Sequence, residues 1–190
     1  MQKMIEEMQA EAQALLSAGE YTHALAEFSV LREIRARREG PYSPRYLSNL
    51  HDCIRCTSQL EMWSDCTPLC SELHGKYVRT HGRGEADTVD VAKHWAWALV
   101  HLHDYPPALR LYLTTADALW DIDPAQAVRL LGAAAVYQAA YDPPSLIDDV
   151  KLRHSTDVLT SLNQMIAALP ASDAAITRDG LCLLYTSPSP

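Results

Sequence analysis

Basic charge, glycine and long apolar runs are all scarce in this chain of 190 residues, and each shortage closes off a class of function. Lys and Arg number 16 against 24 Asp and Glu, a formal net charge of −8. The chain therefore lacks the basic excess that draws proteins to phosphate backbones or anionic membranes, and neither nucleic acid nor a membrane is an expected partner. Only seven glycines are present, and no Gly-rich phosphate loop, nucleophile elbow or paired-carboxylate motif occurs. No catalytic set is visible, no cofactor is implied, and the chain is not expected to be an enzyme. No apolar run approaches the roughly 20 residues that cross a bilayer, because His, Asp, Arg or Lys interrupts every candidate. The opening Met1-Gln2-Lys3-Met4-Ile5-Glu6-Glu7-Met8 mixes charges into every turn and carries no apolar block of the secretory kind. A cytoplasmic location is expected, with the five cysteines reduced: free thiols or metal ligands rather than disulfides.

What is present is an ordinary globular balance, 48% hydrophobic and 21% charged, and a repeat. Tyr21, Trp63 and Tyr105 stand 42 residues apart. Three residues after each comes a small side chain, Ala24, Cys66 and Ala108, and four further on Phe28, Cys70 and Tyr112. Leu31 matches Leu73; Ala18, Leu60 and Leu102 match just before the aromatic; Gly40 matches Gly82 where a helix would end in a left-handed residue. The spacing predicts helix pairs at 2–18 and 22–38, 44–60 and 64–80, and 86–102 and 106–120, with Pro68 delaying or bending the second helix of the middle pair. The small residues let paired helices approach, and the aromatics plug each pair against the next. On that reading Tyr105→Ala costs on the order of 3–5 kcal/mol. Asp123-Pro124-Ala125-Gln126 opens a further helix to about Tyr141, with Asp as N-cap and Pro at the first turn. Asp142-Pro143-Pro144 ends it, and Ser145 with Asp148 caps a last helix carrying Leu152, Leu159, Leu162, Ile166 and Leu169 at helical spacing. With no aromatic at 147, residues 123–170 read as a degenerate closing pair after three good pairs in 1–122, and 171–181 as the tail of the domain.

The aromatic before the second helix, the small residue three later and the glycine after it resemble tetratricopeptide repeats, and the 42-residue period resembles the kinesin-light-chain variety. The resemblance implies an all-α, right-handed superhelix of antiparallel helix pairs whose first helices line a concave groove for peptide segments of partner proteins. Arg129-Leu130-Leu131-Gly132-Ala133-Ala134 resembles the closing segment of such arrays in large bacterial signalling ATPases and transcription regulators, so a regulatory role in a larger protein is the alternative to a scaffold. The last nine residues, Cys182–Pro190, resemble the in-frame translation of a transposase sequencing adaptor; a natural protein continuing past Leu181 is expected, the alternative being a disordered Ser/Pro tail.

The groove candidates are first-helix positions that are not packing anchors: Gln9 and Gln13; Ser48, His51, Arg55 and Gln59; Asp90, Lys93, Trp97 and His101. The set leans basic, and with Trp97 suits an extended peptide carrying an acidic or aromatic side chain; the alternative is a solvated amphipathic face. The repeat anchors are Tyr21, Ala24, Trp63, Cys66, Tyr105 and Ala108. Cys53-Ile54-Arg55-Cys56 followed by Cys66 and Cys70 raises a zinc-stabilised domain as a further alternative. Each of three of these thiols, however, occupies a slot held elsewhere by a packing residue: Cys56 matches Ala14 and Ala98, Cys66 matches Ala24 and Ala108, and Cys70 matches Phe28 and Tyr112. The cysteines are expected as small core hydrophobes, with neither metal nor redox chemistry at Cys53 and Cys56. His94, His101 and His103 with Asp104 have no metal-ligand spacing such as His-Glu-x-x-His and read as solvated or groove-lining side chains.

Overall fold

The computed structural model describes residues 1–140 and 150–169. The described elements are eight helices: α1 (Gln2–Ser17), α2 (Tyr21–Glu39), α3 (Pro44–Gln59), α4 (Trp63–Thr80), α5 (Ala86–His101), α6 (Tyr105–Leu119), α7 (Pro124–Ala140) and α8 (Ser155–Ala168). They fall into two compact units, Met1–Thr80 and a second beginning at His81. In the first, α1 packs on α2, α2 on α3 and α3 on α4; in the second, α5 packs on α6, α6 on α7, and α8 on both α7 and α6. Successive antiparallel pairs are thus the building principle of each unit.

The first three pairs keep the 42-residue phase, and the aromatic is the first residue of each second helix. The turn is built identically each time. Gly19 N–H bonds the Leu16 carbonyl and Glu20 N–H the Leu15 carbonyl; Glu61 and Met62, then His103 and Asp104, repeat both bonds one and two periods later. This is the double closure of a Schellman turn, and it requires a left-handed residue at its centre. Gly19 takes it at φ 77°, Glu61 at 56° and His103 at 57°. An L side chain pays about 1–2 kcal/mol for that conformation. Glu61→Gly is therefore expected to stabilise the chain by about 0.5–1 kcal/mol, net of the greater freedom of unfolded glycine, raising the melting temperature by roughly 2 °C. An unchanged or lower melting temperature would show that Glu61 is unstrained. The glycine ending α2 departs from the expected left-handed closure. Gly40 has φ 93° but ψ 163°, an extended region open essentially to glycine alone, and it turns the chain into α3 rather than sealing α2.

Helix starts follow sequence chemistry. The Ser43 side chain accepts the Tyr46 N–H ahead of Pro44, and the Glu85 carboxylate accepts the Asp87 and Thr88 N–H groups. Asp123 accepts the Gln126 N–H at 3.1 Å and its side-chain amide at 3.3 Å, as the Asp-Pro-Ala-Gln sequence predicts. α4 starts in phase at Trp63 and runs through Pro68, so the proline neither delays it nor breaks it; it deletes one backbone donor in the second turn.

The expectation for the last helix needs correction. Ser145, Asp148 and Tyr141 lie outside the described residues, but Leu152 is described, and it precedes α8 rather than lying in it. The start is set from a distance. The carboxylate of Asp117 on α6, itself buried, accepts the backbone N–H of Arg153 at 2.9 Å and of His154 at 2.7 Å. A carboxylate held by another helix thus does the work of an N-cap where the chain's own His154 makes no side-chain cap bond.

Each unit has its own core. In the first, Phe28, Leu31, Ala24 and Ala12 are wholly buried with Cys56, alongside Ile5 and Cys53. In the second, Tyr112, Leu113, Leu130, Leu131 and Leu162 are wholly or almost wholly buried. The small anchors Ala24, Cys66 and Ala108 have no exposed surface, whereas Tyr21, Trp63 and Tyr105 are only half-buried. The position seven residues after the aromatic, Phe28, Cys70 and Tyr112, is buried as the small anchors are. Ala14 departs from its buried counterparts Cys56 and Ala98: it is exposed.

Candidate functional site

The first unit places a polar network where its first helices face each other. Phe28, Leu31 and Arg35 share one stripe of α2, so the helix carries a guanidinium inward with its apolar residues; Arg35 is 5% exposed. Its Nε donates to Asn49 Oδ1 at 2.8 Å, its NH1 to Glu39 at 2.9 Å and its NH2 to Gln9 Oε1 at 3.4 Å. Asn49 Nδ2 donates in turn to Gln9 Oε1 at 2.8 Å. One buried cation thus ties α1, α2 and α3 together and leaves its charge matched by Glu39. A notch of about 360 Å³ opens over this network, lined by Glu6, Gln9, Ala10, Arg35, Arg45, Ser48 and Asn49. One turn along, Gln13 Nε2 donates to Asp52 Oδ2 and Arg55 to Asp52 Oδ1, both at 3.0 Å. Burial pushes the Asp52 carboxyl above its ordinary range, and the Arg55 guanidinium and the Gln13 hydrogen bond oppose that rise.

The second unit has a notch of about 430 Å³, whose lining includes Val89, Asp90, Lys93, Leu119, Ile122 and Asp123. Apolar Val89, Leu119 and Ile122 share this lining with polar Asp90, Lys93, Asp123 and Gln126. Asp90 lies 3.5 Å from His94 and Asp123 is engaged as the α7 cap, while Lys93 makes no ion pair or hydrogen bond among the described residues. On the same face of α5, one and two turns on, Trp97 is half-buried and meets the exposed His101 ring edge-on at 4.6 Å.

The sequence-derived groove positions therefore separate. Gln9 and Ser48 line the first notch and Asp90 and Lys93 the second; Gln13 and Arg55 flank Asp52; Gln59 is exposed. His51 is placed differently: it is 2% exposed, with a ring nitrogen 3.3 Å from the Tyr77 hydroxyl, packed between α3 and α4. His94 is buried rather than solvated. Arg35 and Asn49 are not among the sequence-derived candidates: Arg35 belongs to a second helix and Asn49 to the buried face of α3, and the signal that could have found Arg35 is a charge on the Phe28-Leu31 stripe.

Cys53, Cys56, Cys66 and Cys70 are all buried free thiols. Burial pushes the Cys53 thiol up to about 11 and the Cys56 thiol up to about 12. Among the described residues, no three His, Cys, Asp or Glu side chains are grouped to hold a metal ion, so the four thiols do not form the tetrahedral set that a structural zinc needs. No described helix is long and apolar enough to cross a membrane.

No protein-family model matches the chain, and no curated protein matches it. Among solved structures, it is similar to the crystal structure of nearly identical TPR-like repeats of a kinesin-light-chain-type protein from Podosopora anserina. The two superpose with a TM-score of 0.61 at 11% identity, over 96% of this chain and 85% of the other. At that identity the likeness is one of fold: tetratricopeptide-like helix pairs.

Proposed function

We propose, for a chain that folds as tetratricopeptide-like helix pairs, that it is a protein–protein interaction scaffold whose first-helix faces hold extended segments of a partner protein. What supports the reading is the repetition of one recess at equivalent repeat positions. Glu6, Gln9 and Arg35 line the notch of the first unit; Asp90, Lys93 and Leu119, each two periods of 42 later, line that of the second. A packing defect would have no reason to keep the phase of the repeat. Repeat proteins present such recesses as binding surfaces because the same backbone positions recur with side chains free to vary.

Lys93 is the residue on which the proposal can be tested. An ammonium with no described partner, in a notch also lined by Val89, Leu119 and Ile122, suits a partner side chain with an apolar stem and an acidic end. The test is binding of the purified chain to a displayed library of extended peptides. Peptides enriched in acidic residues are expected to be selected, and Lys93→Glu is expected to weaken them on the order of tenfold, while Val128→Ser, on the exposed side of α7, leaves them unchanged. Selection of no peptide, or equal affinity for the Lys93→Glu variant, would refute the assignment.

A further inference from the structure

The four buried thiols are not equivalent. Cys66 and Cys70 stand one turn apart on α4 with their sulfurs 3.6 Å from each other, in hydrogen-bond contact, while no such pairing joins Cys53 and Cys56 despite their Cys-x-x-Cys spacing. Cys66 is the fourth residue of α4, in the first turn, where the helix dipole favours a thiolate, and its Sγ also lies 4.0 Å from the Ile54 carbonyl oxygen. The hydrogen bond between the two sulfurs, in which either can donate, holds the Cys66 thiol below its ordinary range against the burial that raises it. Neighbouring Ser64, Asp65 and Pro68 are exposed, so the buried Cys66 lies next to solvent at the start of α4, where local opening can reach it.

Pro68 lies between the two. Side chains one helical turn apart have Cβ atoms about 5–6 Å apart, whereas a disulfide needs about 3.5–4.5 Å. Closing that gap requires α4 to tighten locally. An uninterrupted helix resists this through its backbone ladder, but Pro68 has already removed one rung.

We propose that Cys66 and Cys70 form a peroxide-sensitive modification site, oxidising to an intrahelical disulfide that deforms α4 at Pro68. The Cys66 thiolate attacks one peroxide oxygen and breaks the O–O bond, giving a sulfenic acid at Cys66 and, with one proton, water from a hydrogen peroxide oxidant. The Cys70 sulfur then displaces the sulfenic hydroxyl, which leaves as a second water with the Cys70 proton. Two thiols lose two electrons and two protons in total, and the peroxide accepts both pairs. A thiol reductant reverses the step by exchange.

The test uses the full chain: reduce it, treat it with hydrogen peroxide, block remaining thiols with N-ethylmaleimide in denaturant, and map the cysteines by fragmentation mass spectrometry. Cys66 and Cys70 are expected to be joined, lighter by two hydrogens and unblocked, while Cys53 and Cys56 take the maleimide. The pair should oxidise at least tenfold faster than either of those two, and dithiothreitol should restore both thiols. In Cys70→Ser, dimedone is expected to trap a sulfenic acid at Cys66; should that variant fail to fold by circular dichroism, the mapping of the unaltered chain decides alone. Cys66 and Cys70 both alkylated after treatment that oxidises Cys182, or a disulfide from either of them to Cys53 or Cys56, would overturn the assignment.

Discussion

Phe28→Ala is expected to destabilise the chain by about 3–5 kcal/mol, the range for an aromatic removed from a core that cannot collapse around the cavity. Phe28 has no exposed surface, and its neighbours Ala12, Ala24, Leu31 and Cys56 are equally enclosed and sit on three different helices. None can fill the space without moving a backbone. Chemical denaturation followed by circular dichroism measures the loss. Tyr105→Ala provides the contrast. Its ring lies 5.5 Å from Tyr137 and its hydroxyl 2.8 Å from His103, but the residue is half-buried. The cost should be about 2 kcal/mol, roughly half the full core penalty, and below the 3–5 kcal/mol that the repeat pattern alone implies. If the Tyr105 variant proves the more damaging, the aromatic at the helix start, and not the residue seven later, is the main anchor.

Asp117→Ala is expected to cost about 3 kcal/mol, concentrated in one element. The Asp117 carboxylate accepts the Arg153 and His154 backbone N–H groups, and hydrogen bonds to a charged group contribute about 1.5–3 kcal/mol each. Their loss leaves the start of α8 without its cap, while Val158 and Leu162 still bury against the second unit's core. The helix should therefore loosen before the unit unfolds. Hydrogen exchange should show amide protection across α8 falling by about two orders of magnitude, with α5 and α6 little changed. Uniform loss of protection throughout the second unit would mean that α8 is part of one cooperative block rather than an element tied on through Asp117. Asp117→Asn, which keeps one acceptor oxygen, should fall between the two.

Much of the fold was legible because its information is local. A helix, its cap and the turn after it are decided by neighbours within four or five residues, so the 42-residue phase located the first six helices to within one or two residues, and Asp123-Pro124-Ala125-Gln126 marked the start of α7. The small residues Ala24, Cys66 and Ala108 were readable for the same reason: recurrence in phase exposes a steric constraint that a single sequence otherwise hides. The candidate site was less legible. First-helix position singled out Gln9, Ser48, Asp90 and Lys93 as candidates, and these four line the two notches, but it could not tell that His51 turns inward to Tyr77, nor that Arg35 arrives from a second helix to meet Asn49.

Sequence by itself thus determined the helix pairs, their period and the residue types at each pair's close contacts, since these depend on hydrophobic spacing and backbone conformation along a short stretch. Tertiary structure alone decided which polar groups meet across helices. Gln9 and Asn49 are 40 residues apart, and Asp117 and His154 are 37 apart. The same holds for the thiols, because equal burial of four cysteines says nothing of which two sulfurs approach to 3.6 Å. Partners separated by more than a helical turn are chosen by how two helices rotate and slide when they pack, and no local pattern encodes that rotation.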